Sequence, residues 1–359
     1  MYNPNELIIN RENIKFNLES IQQYIGEKTC IMPIIKANAY GVGVDYILDV
    51  IKEKNITQIG VATVEEAIYI RKIYNGMIFV LLQPFKEQIE DILINDIVTN
   101  VSDFDFLIEL NKMAKNKDMI ARVHIEINTG MGRTGIQLNE ISLFLDKIKE
   151  LKNINVEGIS THFSTAKNKY YTKEQINKFN FAINKIKKDI NSIKYIHACS
   201  SSSILNYPEA HFNIVRIGIM MYGYYNDKRI KLKPCLELKT HISYIHNVKK
   251  GEAIGYNKTT IAKKDMRVAI IPIGFADAFM GLESNIAHVL VNNKKANIIA
   301  ICMDSMVIDI TDIVQVATNT EVVLWDNKNI TLEQWGEWTK TSTYEVISIL
   351  SNRIKRKVI

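Results

Sequence analysis

Ile31-Met32-Pro33-Ile34-Ile35-Lys36-Ala37-Asn38-Ala39-Tyr40-Gly41 runs from an apolar stretch through a lysine into small and turn-prone residues. Ile31–Lys36 reads as a buried strand, Ala37–Gly41 as a turn, and Val44–Lys54 as an amphipathic helix. The same unit recurs downstream. Gln58–Ala62 is a strand and Val64–Ile73 a helix, and Gly76–Leu82 is again a strand. Ile120–Ile127 and Val156–His162 repeat the pattern after helical stretches at Phe104–Lys115 and Leu138–Leu151. Tyr195–Ala198 and Val215–Gly218 complete it. Strands alternating with helices imply parallel pairing, and about eight units in this length suit a TIM-type (β/α)8 barrel better than an open sheet. The rhythm changes after Tyr225. Leu236–Val248, Arg267–Ile273, Ala287–Val291, Ala296–Asp309 and Glu321–Leu324 are β-like, and helical pattern returns only at Thr331–Lys340 and Tyr344–Arg353. Thr331-Leu332-Glu333-Gln334 reads as a capping box. The expected organisation is an α/β barrel domain over residues 1–229 followed by a mostly β C-terminal domain over residues 230–359.

Composition narrows the class of function. With 23% charged and 47% apolar residues among 359, the chain has ordinary globular chemistry and ample core. The net charge of +6 comes from short basic runs such as Lys187-Lys188 and Lys249-Lys250, each set among acidic or apolar residues. No dense basic block points to nucleic acid. Cys30, Cys199, Cys235 and Cys302 show no CxxC spacing, so no metal site is expected, and a reduced, cytoplasmic setting fits. The polar start, Met1–Glu6, has no signal-peptide pattern, and no apolar run is long enough to span a membrane.

A lysine at the carboxyl end of a barrel strand faces the place where barrel active sites form. Partial desolvation there lowers its pKa and frees the amine to attack an aldehyde. Ala37, Ala39 and Gly41 leave room for a planar ring, and Tyr40 is near enough to reach a phosphate. Taken alone, the segment reads more readily as an exposed lysine at a strand end. It is followed, however, by Thr129-Gly130-Met131-Gly132-Arg133, Thr161-His162-Phe163, His197-Ala198-Cys199-Ser200-Ser201, Val215-Arg216-Ile217-Gly218-Ile219 and Tyr222-Gly223. Then come Gly255-Tyr256, Gly274-Phe275-Ala276-Asp277, Cys302-Met303-Asp304 and Tyr344-Glu345. In this order the motifs resemble those of the alanine racemase family over essentially the whole chain.

The resemblance implies a pyridoxal 5′-phosphate-dependent isomerase that interconverts L-alanine and D-alanine and supplies D-alanine for peptidoglycan. Lys36 would carry the cofactor as a Schiff base and act as the base for the D-enantiomer. Tyr256 would be the opposite-face base, supplied by the second subunit of a homodimer with shared active sites and approaching His162. A tyrosine of ordinary pKa near 10 is a poor base at neutral pH, so it would need a neighbouring donor or cation. Arg216 would donate to the pyridine nitrogen, and since arginine keeps its proton the ring would stay largely uncharged. Tyr40, Ser201, Gly218, Ile219 and Tyr344 match the phosphate cradle, and His197 a histidine beside the ring. Arg133 and Met303 match positions near the substrate carboxylate. Read singly, His197 is a core histidine, Tyr256 a turn tyrosine and Arg216 a structural ion-pair partner.

Several positions depart from the family pattern. Glu126 stands where many members have a lysine, often carbamylated, that holds the motif arginine, so Glu126 is expected to orient Arg133. Asn128 replaces the usual aspartate, Ser200 an asparagine, Phe275 a tyrosine and Ala278 a glycine. Ala300 replaces an arginine of the entry channel, and a less polar channel is expected. Tyr344 crowds the substrate side chain and favours alanine. A racemase preferring serine, a decarboxylase on the same architecture and a non-catalytic pyridoxal-phosphate carrier are the competing readings. Arg216 counts against the decarboxylase, and the second domain with Tyr256 against the carrier.

Overall fold

Residues 2–359 are described by a computed structural model. A short strand, β1 (Glu6–Ile9), opens the chain, and the next eight strands form the barrel. They are β2 (Cys30–Pro33), β3 (Gln58–Val61), β4 (Met77–Val80), β5 (Val98–Val101), β6 (Ala121–Glu126), β7 (Ile154–Ser160), β8 (Tyr195–Ser200) and β9 (Ile214–Ile217). All pair in parallel, in the order β2-β9-β8-β7-β6-β5-β4-β3. The ring closes where Ile34 bridges Gly60 and the Ile35 N–H donates to the Gly60 carbonyl at 2.9 Å. A Cβ at position 60 would stand 2.5 Å from Ile34 Cδ1, so glycine lets that side chain lie close over the closure.

The alternating pattern is the physical origin of the barrel. Strands such as Met77–Val80 are buried on both faces, as a parallel sheet covered by helices requires. Helix Val44–Glu53 turns Val44, Ile47, Leu48, Val50 and Ile51 inward. Helix Val64–Arg71 starts at a capping box, in which Thr63 accepts from the Glu66 N–H and the Glu66 carboxylate accepts from the Thr63 N–H. Within the barrel, Met32, Ile34, Met77, Phe79, Val98 and Ile214 form one apolar cluster.

The second domain holds β10 (Leu236–His241), β11 (Tyr244–Val248), β14 (Met266–Ile271), β15 (His288–Val291), β16 (Lys294–Ile301), β17 (Met306–Asp309), β18 (Glu321–Trp325) and β19 (Lys355–Val358). Between β11 and β14, a two-stranded hairpin of β12 (Ala253–Ile254) and β13 (Thr260–Ile261) carries Tyr256 at its tip. The sheet order is β11-β14-β17-β16-β15-β18-β10-β1-β19. Its composition corrects one boundary. Residues 6–9 were expected in the barrel domain, yet β1 pairs antiparallel with β10 and parallel with β19. Four residues are too few for a period to show which sheet they join. The capping box at Thr331–Gln334 is present. Strand Val98–Val101 and helices Arg11–Ile25 and Lys169–Asp189 add to the elements expected from pattern. No described helix is long and apolar enough to cross a membrane.

Candidate active site

Lys36 stands just past the carboxyl end of β2, at the start of a turn with unusual backbone. Ala37, Asn38, Ala39 and Tyr40 all have φ between 52° and 58°, so one turn of left-handed helix follows the lysine. Each such residue costs roughly 1–2 kcal/mol, and strain of this kind persists only where neighbours enforce it. Glu66 is the principal enforcer. Its Oε1 accepts from the Ala37 N–H at 2.6 Å and its Oε2 from the Ala62 N–H at 2.8 Å. The Asn38 Oδ1 accepts from the Val44 N–H, and the Gly41 N–H donates to the Ala37 carbonyl. Gly41, with φ +76°, packs against the Ile347 carbonyl and brings helix Thr343–Ser348 of the second domain over the turn.

Replacing Glu66 by alanine orphans two N–H donors and half of the capping box. Urea unfolding should show a loss of about 1–3 kcal/mol. Glu66→Gln keeps one acceptor and should lose less. Equal stability of both variants and the parent would mean that the turn holds itself.

A cavity of about 540 Å³ opens beside this turn, lined by Lys36, Tyr40, Arg133, His162, Ser201, Arg216, Gly218 and Tyr344 among others. Burial lowers the Lys36 pKa, the nearby Arg133 lowers it further, Glu66 opposes the shift and Arg216 adds to it. The free amine that a nucleophile or base requires is therefore favoured.

Arg216 is the most constrained of these residues. It is 4% exposed on β9. Its Nη2 donates to the Thr161 and Ala198 carbonyls, each at 2.8 Å, and to His162 Nδ1 at 3.1 Å. Nη1 donates to the His197 carbonyl at 3.0 Å and to His197 Nδ1 at 2.6 Å. Among the described residues Nε has no protein partner, and it belongs to a residue that lines the cavity. Burial lowers the guanidinium pKa to about 10, so it still carries its proton at neutral pH. Because arginine only donates, His162 must present a lone pair at Nδ1 and keep its proton on Nε2. Burial first, then the charges of Arg216, Arg133 and Lys36, lower the His162 pKa to about 3.

At the other end of the cavity the Gly218 N–H donates to Ser201 Oγ at 3.0 Å. A Cβ at Gly218 would collide with the Tyr40 hydroxyl, so glycine lets this backbone and that hydroxyl converge. The Tyr344 ring lies 6.3 Å from the Tyr40 ring. Ile219 is fully buried, and its side chain belongs to the core. His197 is fully buried behind Arg216 and does not line the cavity.

Tyr256 and Met303 lie elsewhere. Neither lines the cavity of its own chain, and they are 70% and 59% exposed. Phe275 and Met303 are displayed together, because the Phe275 and Ala276 N–H groups donate to the Cys302 and Met303 carbonyls. Gly274 permits that backbone approach. One expectation changes here. Glu126 makes no ion pair with Arg133; its carboxylate accepts from Asn100 Nδ2 at 2.7 Å and Thr134 Oγ1 at 2.5 Å. The shorter side chain stops at these donors and reaches Arg133 only through its field. Ala300 lines no channel in this chain. It is 1% exposed, and a Cβ on Gly255 would stand 2.7 Å from its own.

Glu66, Asn100 and His124 were not singled out from sequence. The Thr63-x-x-Glu66 capping box was readable as such, but the second carboxylate oxygen's reach to Ala37 was not.

Residues 9–226 match the family model "Alanine racemase, N-terminal domain", and residues 235–358 match "Alanine racemase, C-terminal domain". Alanine racemase 1 of Clostridium acetobutylicum is 34% identical over 366 residues, covering 98% of this chain and 94% of that protein. The alanine racemase of Borreliella burgdorferi is 34% identical over 364 residues, covering 98% and 96%. Among solved structures, the alanine racemase of Clostridium difficile 630 superposes with a TM-score of 0.94 at 31% identity, covering 100% of this chain and 96% of that one. Two adjoining family matches and relatives of this likeness over nearly its full length show that the chain belongs to the alanine racemase family.

Proposed function

We propose that the chain interconverts L-alanine and D-alanine with two bases on opposite faces of the substrate, Lys36 from one copy and Tyr256 from a second. The interconversion follows from the family, whose members are isomerases; the assignment of residues is our reading. The observation that carries it is the convergence of Lys36, Arg216, His162 and Arg133 on one cavity that Tyr256 of the same chain does not reach.

The residues fit pyridoxal 5′-phosphate. Lys36 is a depressed amine for its aldehyde, and Arg216 Nε is a donor for its ring nitrogen. Tyr40, Ser201, Tyr344 and the backbone at Gly218 and Ile219 supply hydroxyls and N–H groups for its phosphate. When bound, the cofactor supplies an electron-withdrawing ring that acidifies the Cα–H bond of the attached amino acid. Arg216 keeps its proton, so it orients the ring without protonating it. Arg133 has no hydrogen-bond partner among the described residues and so has donors free for a carboxylate. Met303, exposed beside Phe275, would meet the same carboxylate from the second copy. His162 directs an Nε2 proton outward, which would stabilise the phenolate of Tyr256 and lower its pKa. His197 supports Arg216 from behind. The D-alanine formed would feed the cell wall.

Tyr256→Phe should slow proton exchange from L-alanine about 10²–10⁴-fold, the contribution of one positioned base, while leaving cofactor binding intact. Mixing chains tests the sharing. A Lys36→Ala chain and a Tyr256→Phe chain, each nearly inactive, combine at random into heterodimers with one intact site. Racemisation should recover to about a quarter of the parent. No recovery despite confirmed heterodimers would place both bases in one chain and overturn the reading.

A further inference from the structure

The polar interior of the barrel continues beyond His197. His197 Nε2 lies 2.9 Å from His124 Nδ1, and both rings are fully buried. His124 Nε2 in turn faces Glu157 Oε1 at 3.9 Å. Arg122 brackets the Glu157 carboxylate, with Nε donating to Oε2 at 3.1 Å and Nη2 3.0 Å from Oε1.

The direction of this chain is forced from one end. The Arg216 guanidinium can only donate, so His197 Nδ1 accepts. A neutral His197 then carries its proton on Nε2 and donates it to His124 Nδ1. His124 must carry its own proton on Nε2, aimed at Glu157. At the far end His124 Nε2 and Glu157 Oε1 stand 3.9 Å apart without a hydrogen bond, so the direction is set from the Arg216 end. Burial and the flanking arginines keep both imidazoles neutral.

His124 is held in a built slot. Its ring stacks on Phe79 at 4.6 Å and 30°. On the other side is Gly158, where a Cβ would come within 2.5 Å of His124 Cγ and Cδ2. Gly158 has no positive φ, so what requires glycine at this position is the ring, not the backbone. His124 lines no part of the large cavity and touches nothing there.

We propose that His124 is a positioning residue for racemisation: seated against Gly158, it accepts the hydrogen bond from His197 Nε2–H and so fixes the His197 lone pair that holds Arg216. The inference rests on the reading of Arg216 as the group facing the cofactor ring.

The test compares His124→Gln with His124→Phe in the full-length, cofactor-loaded protein. Glutamine keeps an acceptor for His197 Nε2–H; phenylalanine keeps the volume and removes the acceptor. Positioning predicts kcat for alanine about tenfold lower in His124→Phe at nearly constant KM, the scale on which outer hydrogen-bond partners tune an inner group. It also predicts recovery to within about threefold in His124→Gln. A packing role predicts the opposite order. Histidine-selective ¹⁵N NMR of the unsubstituted protein gives a readout independent of activity. It should show His197 and His124 as neutral Nε2–H tautomers with a coupling across the His197 Nε2–H···Nδ1 His124 bond. Gly158→Ala should abolish that coupling. An Nδ1–H tautomer at His197, absence of the coupling, or a fully active folded His124→Phe overturns the proposal. If His124→Phe does not fold, the coupling and the glutamine variant decide. Arg216→Gln separates the underlying reading: if that variant racemises normally, the role given to Arg216 fails, whereas an impaired Arg216→Gln beside a normal His124→Phe sinks only the inference about His124.

Discussion

Lys36→Ala should abolish racemisation of both alanine enantiomers, by at least about 10⁴-fold, and with it the long-wavelength absorption band of lysine-bound cofactor. The magnitude combines two losses in one side chain. Losing a positioned base would cost about 10²–10⁴-fold, and losing the amine proposed to hold the cofactor covalently would add to that. The turn after Lys36 should survive, because its restraints run through Glu66, Asn38 and Gly41 rather than the lysine side chain. Circular dichroism and urea unfolding should therefore match the parent. Lys36→Arg discriminates further. It restores a cation at the position but not a free amine, so it should leave activity lost and the band absent. A band that persists in Lys36→Ala would sink the covalent assignment and shift suspicion to another amine. Activity lost with the band intact would leave Lys36 as a base only.

How much of this was legible in the sequence differs by kind of residue. The barrel showed itself through period: strands such as Met77–Val80 are wholly apolar because both faces are covered, and helix Val44–Glu53 repeats its apolar face every turn. Lys36, Arg216 and His162 were visible as motif residues, and the fold brings them to one cavity. The conformation of the motif was not visible. Ala37, Asn38 and Ala39 carry no glycine to announce positive φ, and the left-handed turn exists because a carboxylate 29 residues away holds the Ala37 N–H. Nor could spacing decide whether Glu126 meets Arg133, since the choice depends on Asn100 and Thr134 standing nearer. Strand β1 escaped for a different reason: its partners β10 and β19 lie more than 220 residues away, and no local pattern encodes them. His124 carries no motif of its own, and only Gly158, on the neighbouring strand, reveals that a slot was left for its ring.

The same buried histidines make the chain acid-sensitive in a defined window. In the folded chain His124 and His162 are held at about 3, against 6.5 when exposed, and His197 is held well below 6.5. Burial is the first cause for all three, and the charge of Arg216 contributes to each. Below pH 6.5 the unfolded chain therefore binds protons that the folded chain refuses. Stability rises with pH wherever the unfolded state binds more protons, by about 1.4 kcal/mol per pH unit for each. Three rings give about 4 kcal/mol lost per unit as pH falls from about 6 toward 4.5. The loss ends only near the folded values, far below the range in which the chain can stay folded. At the upper edge of the window carboxylates add little, because they begin to titrate only nearer pH 4. At that slope a net stability of about 5–15 kcal/mol would be consumed over roughly one to four units. The cofactor-free protein, unfolded by urea at pH 7.5, 6.5, 5.5 and 5.0, should show no change above 7 and a steep fall below 6. Proton uptake on unfolding at pH 5.5 should drop by about one in His124→Gln, since one ring has been removed from the count. A slope of less than one proton would mean that these rings ionise within the fold. The donor chain drawn from Arg216 through His197 to His124, which requires neutral imidazoles, would then have to be abandoned.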